Sequence, residues 1–161
     1  MPKINNIEGN ISIEINLIKN EFLDIEESRN DFENWIPFEF ELVTEGDKYS
    51  YVSEVGATFS IYEIKNFISN VDTIIQAKMN NLTFERYVFC SSECYFDLEL
   101  SDPLEENQVS ADIWINLGSL TNGKTYGYSK GFRFDMNLDT LKLFINLLKQ
   151  QLKQLTINYS R

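Results

Sequence analysis

From Leu82 to Phe134 apolar and polar side chains alternate in one short run after another, and the connections between runs are brief. Leu82, Phe84, Arg86 and Val88 interleave with Thr83, Glu85, Tyr87 and Phe89. Cys94, Phe96, Leu98 and Leu100 interleave with Tyr95, Asp97 and Glu99, and Val109, Ala111, Ile113 and Ile115 with Ser110, Asp112, Trp114 and Asn116. Tyr126, Tyr128, Phe132 and Phe134 make the last run. A period of two places successive side chains on opposite faces of a strand. Turns at Ser91-Ser92, at Pro103 to Asn107 and at Gly118 to Lys124 join these strands. Parallel neighbours would need crossovers of about a dozen residues or more, so the four strands read as an antiparallel meander.

The first half supplies more strands and a helix. Ile11, Ile13, Ile15 and Leu17 alternate with Ser12, Glu14 and Asn16, after a short strand at Ile4–Ile7. Phe38, Phe40 and Leu42 oppose Glu39 and Glu41, and Glu45-Gly46-Asp47-Lys48 turns the chain into a hairpin partner at Tyr49–Val55. Residues 20–34 show no clean period and read as a loop or short helical turn pinned by Phe32 and Trp35. Ser60-Ile61-Tyr62-Glu63 is a capping box, and Ile61, Ile64, Phe67, Ile68, Val71, Ile74 and Ile75 follow at helical spacing. A last helix starts at Asn137 as N-cap, with Leu138, Leu141, Phe144, Ile145, Leu148 and Leu152 on one face. The expectation is one α+β domain over residues 1–161. It holds a mostly antiparallel sheet of about six to eight strands, a size common for such sheets. Two amphipathic helices, about 60–79 and 138–155, cover it.

Much chemistry is excluded by residue type. The chain has no histidine, which removes imidazole-based triads, HExxH zinc sites and histidine phosphorelays. No GxGxxG or GxxxxGK[ST] phosphate loop occurs, and Glu45-Gly46-Asp47 is too sparse for calcium. Cys90 and Cys94 lack further metal ligands and read as small, half-buried hydrophobes. Carboxylate pairs could be drawn from Asp97, Glu99 and Asp112, but on a domain with 25 acids such pairs arise by chance. The expectation is therefore no catalytic residue, no cofactor and no metal. The amino terminus has no apolar stretch of signal-peptide length and no small-residue cleavage pattern, and no apolar run reaches the ~18–20 residues of a membrane span. A cytoplasmic protein without a membrane role is expected, and the three Asn-x-Ser/Thr triplets read as chance matches.

Charge placement is the remaining guide. The net charge of −11 is uneven: residues 1–80 hold 15 acids against six bases, while residues 81–161 hold ten against eight. Within residues 21–54 eleven acids face Arg29 and Lys48 alone. Nucleic-acid binding needs clustered Lys and Arg and is not expected. A negative, aromatic-bearing surface attracts basic proteins. The polar parity of the meander places Tyr95, Asp97, Glu99, Asp112 and Trp114 together as a candidate partner-binding set. A tryptophan among carboxylates has the composition of an interface anchor. Burial of Trp114 under a helix or loop on that face is the competing reading.

The order of segments resembles the WapI-like immunity proteins of Gram-positive bacteria and their relatives. The matching pieces are Ile7-Glu8-Gly9-Asn10 before the isoleucine strand, Trp35 leading into Phe38–Val43, and Gly56-Ala57-Thr58-Phe59-Ser60 running into Glu63 and Phe67. Ser92-Glu93-Cys94-Tyr95-Phe96, the Trp114 strand, Phe132-Arg133-Phe134 and the closing helix with Phe144 and Leu148 complete the order. The family's glycine-rich stretch before the first helix is partly kept, as Val55-Gly56-Ala57. The resemblance implies that the protein neutralises a polymorphic toxin domain, often a nuclease, by binding it; the residues themselves lead to the expectation of a non-enzymatic protein, monomer or homodimer. The rival class is a cytoplasmic small-ligand-binding or homodimeric structural module, and a carboxylate hydrolase comes third.

Overall fold

A computed structural model gives the structure of the chain and describes residues 1–120 and 128–157. The described residues form two antiparallel sheets with nine strands, where the sequence reading expected one sheet. In the first, β1 (Lys3–Asn5), β2 (Ser12–Leu17), β3 (Trp35–Val43) and β4 (Lys48–Tyr51) lie in chain order. β5 (Thr58–Ser60) pairs with the start of β3, Trp35 opposite Ser60. The second is the expected meander, β6 (Tyr87–Cys90), β7 (Phe96–Ser101), β8 (Gln108–Asn116) and β9 (Ser129–Asn137). Between β5 and β6 runs α1 (Ile61–Met79); α2 (Leu117–Leu120) is a single turn after β8, and α3 (Leu138–Thr156) follows β9 directly.

Alternation decides which side of each strand is buried. Ile13, Ile15 and Leu17, then Ile36, Phe38, Phe40 and Leu42, close the inner face of the first sheet. Phe96, Leu98 and Leu100, with Val109, Ala111, Ile113 and Ile115, close that of the second. The two faces meet through aromatic rings. Phe96 stacks on Phe40 at 4.9 Å between centroids and sits edge-on to Phe38 at 6.3 Å and Phe59 at 6.1 Å. Such offset and T-shaped pairs add to the area they bury. Tyr51 staples the layers: its hydroxyl lies 2.7 Å from the carbonyl of Tyr95 and 3.0 Å from that of Asn116, sharing its proton between them.

Every member of the expected α1 stripe is buried. Phe67 carries it onto Phe89 (4.9 Å) and, edge-on, onto Phe144 of α3 (6.4 Å). The capping box forms: the Ser60 hydroxyl accepts from the Glu63 amide at 3.2 Å, and Glu63 Oε2 accepts from the Ser60 amide at 2.8 Å. The other Glu63 oxygen accepts from the Ser92 amide at 2.7 Å, so the cap reaches the β6–β7 turn. At the other end, Lys78 buries its ammonium between Asp102 (2.9 Å) and the Glu105 carbonyl (2.8 Å). Burial pushes the Asp102 carboxyl up, but Lys78 and the Leu104 amide outweigh it and hold it below its ordinary range.

Several expectations are corrected. Residues 82–86 are not a strand, and β6 begins at Tyr87 with Phe89, not Val88, facing in. The hairpin partner of β3 stops at Tyr51, and Ser53–Val55 is a 3-10 turn. Cys90 and Cys94 are exposed thiols; Cys94 sits in the left-handed region (φ 55) of the tight Ser91–Tyr95 turn. Asn137 occupies the N-cap of α3 without a side-chain bond to it. Phe32 does not pin its loop to the core, being 60% exposed. Tyr126 and the stretch 121–127 of the expected long turn lie outside the described residues.

Candidate protein-binding faces

The outer face of the second sheet is set by its register. Asp97 of β7 stands opposite Trp114 of β8, which stands opposite Gly131 of β9. The next row is Val88, Glu99, Asp112 and Arg133. Four of the five residues expected as a set share this face. Tyr95 does not: it precedes β7, its amide is held by Ser91 Oγ at 2.8 Å, and its ring packs edge-on to Phe38 (5.6 Å) and Tyr51 (5.2 Å). Burial, with a smaller contribution from Glu93, pushes the Tyr95 phenol up.

Trp114 is half exposed, at 50%, so no described element covers it. Its orientation comes from Gly131. A Cβ at Gly131 would lie 2.6 Å from Cε3 and Cζ3 of the indole, so the ring lies flat across a backbone that only glycine leaves open. An aromatic ring over a cross-strand glycine is a way to hold a side chain on a sheet surface. The ring is therefore placed before any partner arrives.

The carboxylates beside it are not bare. Arg133 clamps Asp112 with two bonds, Nε to Oδ1 at 2.5 Å and Nη2 to Oδ2 at 3.0 Å. Asp112 raises the Arg133 guanidinium above its ordinary value. Arg86, from the segment before β6, bonds Glu99. Both carboxylates are largely covered while both guanidiniums stand out in solvent, so this face carries mixed charge around an aromatic centre. Asp97 remains exposed one row away. Burial first, then the Asp97 carboxylate across the strand pair, pushes the Cys90 thiol up, which keeps it a poor nucleophile.

The sequence reading missed Arg86, Arg133 and Gly131. The parity of Phe132-Arg133-Phe134 puts Arg133 outward, but its pairing with Asp112 needs the register across a connection of unknown path. Other sites offer less. A groove of about 370 Å³ lies between α1 and α3 and is lined by Lys65, Ile68, Asp72, Lys149, Leu152 and Lys153, away from the sheet face. Among the described residues no group of three acidic or cysteine side chains could hold a metal ion. No described helix is long and apolar enough to cross a membrane.

Comparison with known proteins gives one sequence family. The model of the immunity protein WapI-like family matches residues 3–156. No curated protein matches the chain. Solved structures align over most of its length at low identity. The plant transcriptional regulator PBF-2 is 8% identical, with 98% of this chain and 82% of that chain covered and a TM-score of 0.49. Trypanosoma bruciei MRP1/MRP2 is 7% identical, covering 92% and 86%, with a TM-score of 0.42. A protein of unknown function from the DUF155 family of Prochlorococcus sp. NATL2A is 11% identical, covering 93% and 98%, at 0.37.

Proposed function

The chain belongs to the immunity protein WapI-like family, and on that premise we propose that it protects its producing cell by binding a cognate toxin domain, without catalysis. The contact surface in this reading is the outer face of the second sheet. The observation that carries it is Trp114, half exposed and held flat by Gly131 in the middle of an uncovered sheet. Interface energy concentrates in rigid aromatic and arginine side chains surrounded by groups that exclude water. Trp114, Arg86 and Arg133 are such side chains, and Asp112 and Glu99 hold the two arginines in place.

Binding alone accounts for protection here. A domain that covers the substrate surface of a toxin needs no reactive group, and the absence of histidine removes the commonest one. The acidic excess of the chain favours a basic toxin, and a nuclease, which must hold phosphates, has such a surface. The protein acts in the cytoplasm in this reading, where a toxin would meet it before reaching its target.

The test is co-expression with the toxin domain encoded beside the gene. Protection of the host and a stable complex on gel filtration are expected. Trp114→Ala should abolish protection at low expression while the variant stays folded. Absence of any complex with the native protein would sink the reading.

A further inference from the structure

A second exposed aromatic site lies outside the sheet face, and its surroundings differ in charge. Phe32 and Tyr62 stack with centroids 3.9 Å apart and planes 23° from parallel, and both stand in solvent at 60% and 43%. Tyr62 belongs to the first turn of α1, off its buried stripe. Phe32 comes from the long loop 20–34, whose only ladder contact is the bridge between Asp24 and Trp35.

That loop is rigidly built. The buried Asn34 side chain accepts from the Glu26 amide at 2.8 Å and donates to the carbonyls of Arg29 (3.3 Å) and Asn30 (3.2 Å). Arg29 clamps Asp24 and Glu26 at 2.8 and 2.5 Å. Asp31 bonds Lys65 of α1 at 2.7 Å, and the carbonyls of Asp31 and Asn34 receive the free amides of Tyr62 (3.0 Å) and Ile61 (2.9 Å) at the helix start. These bonds shape the loop without the Phe32 ring, whose burial they do not need. Long irregular loops held this firmly often carry binding residues.

Six carboxylates lie between residues 20 and 34, and the two cations paired with them, Arg29 with Asp24 and Glu26 and Lys65 with Asp31, leave the loop a net negative charge. Two stacked rings offer electron-rich faces, and a carboxylate-rich border adds long-range attraction for cations. We infer that the Phe32–Tyr62 stack and the acidic loop around it form a docking platform for a basic protein segment, an arginine or lysine of the partner lying on the rings. The partner is the toxin domain of the preceding reading, on which this inference rests. It assigns the basic part of that partner to the loop platform and leaves the mixed-charge sheet face to a different part.

Affinity and association rate of the toxin domain for the native chain, Phe32→Ala, Tyr62→Ala, Tyr62→Phe and Trp114→Ala test it. All these positions are exposed, and thermal melts check that each variant folds. Phe32→Ala and Tyr62→Ala should each weaken binding about tenfold, while Tyr62→Phe, which keeps the ring, stays within about twofold. Raising salt from about 0.05 to about 0.5 M should slow association of the native chain, and Asp31→Asn/Glu33→Gln should reduce that dependence. Binding by Phe32→Ala and Tyr62→Ala within twofold of native, with Trp114→Ala impaired, overturns the platform and leaves the sheet-face reading standing. No binding by the native chain overturns both.

Discussion

The two sheets bury their inner faces in the same way but present opposite outer faces. On the first, Glu14 stands opposite Glu41 and Asn16 opposite Glu39, lining a depression with Ser50, Tyr51 and Val52. Lys48 bonds Glu41 at 2.5 Å, and the aromatic rings beside these groups, Phe40 and Tyr51, are buried. On the second, two carboxylates are taken up by arginines and a tryptophan occupies the centre. Alternation sets how much of each face is wet; the cross-strand neighbour sets what the wet side can do. A row of glutamates remains hydrated, whereas a ring seated on glycine beside a row of paired guanidiniums can be dehydrated by a partner at low cost.

The contrast can be broken first at its base, the shared interior. Phe96→Ala removes the ring that touches Phe38, Phe40, Phe59 and Phe89, and should cost about 3–5 kcal/mol in chemical denaturation. The difference between the outer faces is read in binding. Trp114→Ala should cost about 1.4 kcal/mol or more of toxin affinity, a tenfold loss. Glu39→Gln, on the first sheet, should stay within about twofold in the same titration. An equal loss from both would mean that overall charge, not a placed ring, drives association.

The smallest effect concerns pH. Burial, with a lesser contribution from Cys90, pushes the Tyr87 phenol up to about 12, whereas in the unfolded chain it ionises near 10. The unfolded state then releases its proton first. The stability tied to this group is complete below pH ~10 and declines as pH rises toward about 12. Denaturant midpoints across that window should fall, and less steeply in Tyr87→Phe; parallel curves would show that Tyr87 ionises alike in both states.

Strong local patterns carried far into the structure. The capping box at Ser60, the α1 stripe and the alternation of β2, β3, β7 and β8 appear where their periods place them. The same alternation put Asp97 and Trp114 outward. It failed for Tyr95, because a residue before the strand is oriented by its turn, here through Ser91, and not by the pleat. It failed for residues 82–86, where polar and apolar alternate with no partner strand to pair. The split into two sheets was invisible because which strands lie side by side across the α1 segment is a long-range pairing that no local period encodes. The arginine pairs, too, depend on register between strands that no single segment encodes.

Glu63 joins two kinds of time. One of its oxygens closes a cap within three residues, and the other takes the Ser92 amide, delivered only when the second sheet docks. Hydrogen exchange at Ser92 therefore reports the meeting of the halves, while exchange at Ser60 reports the start of the helix. A population protected at Ser60 and open at Ser92 would be a chain whose first half has formed and whose second has yet to arrive.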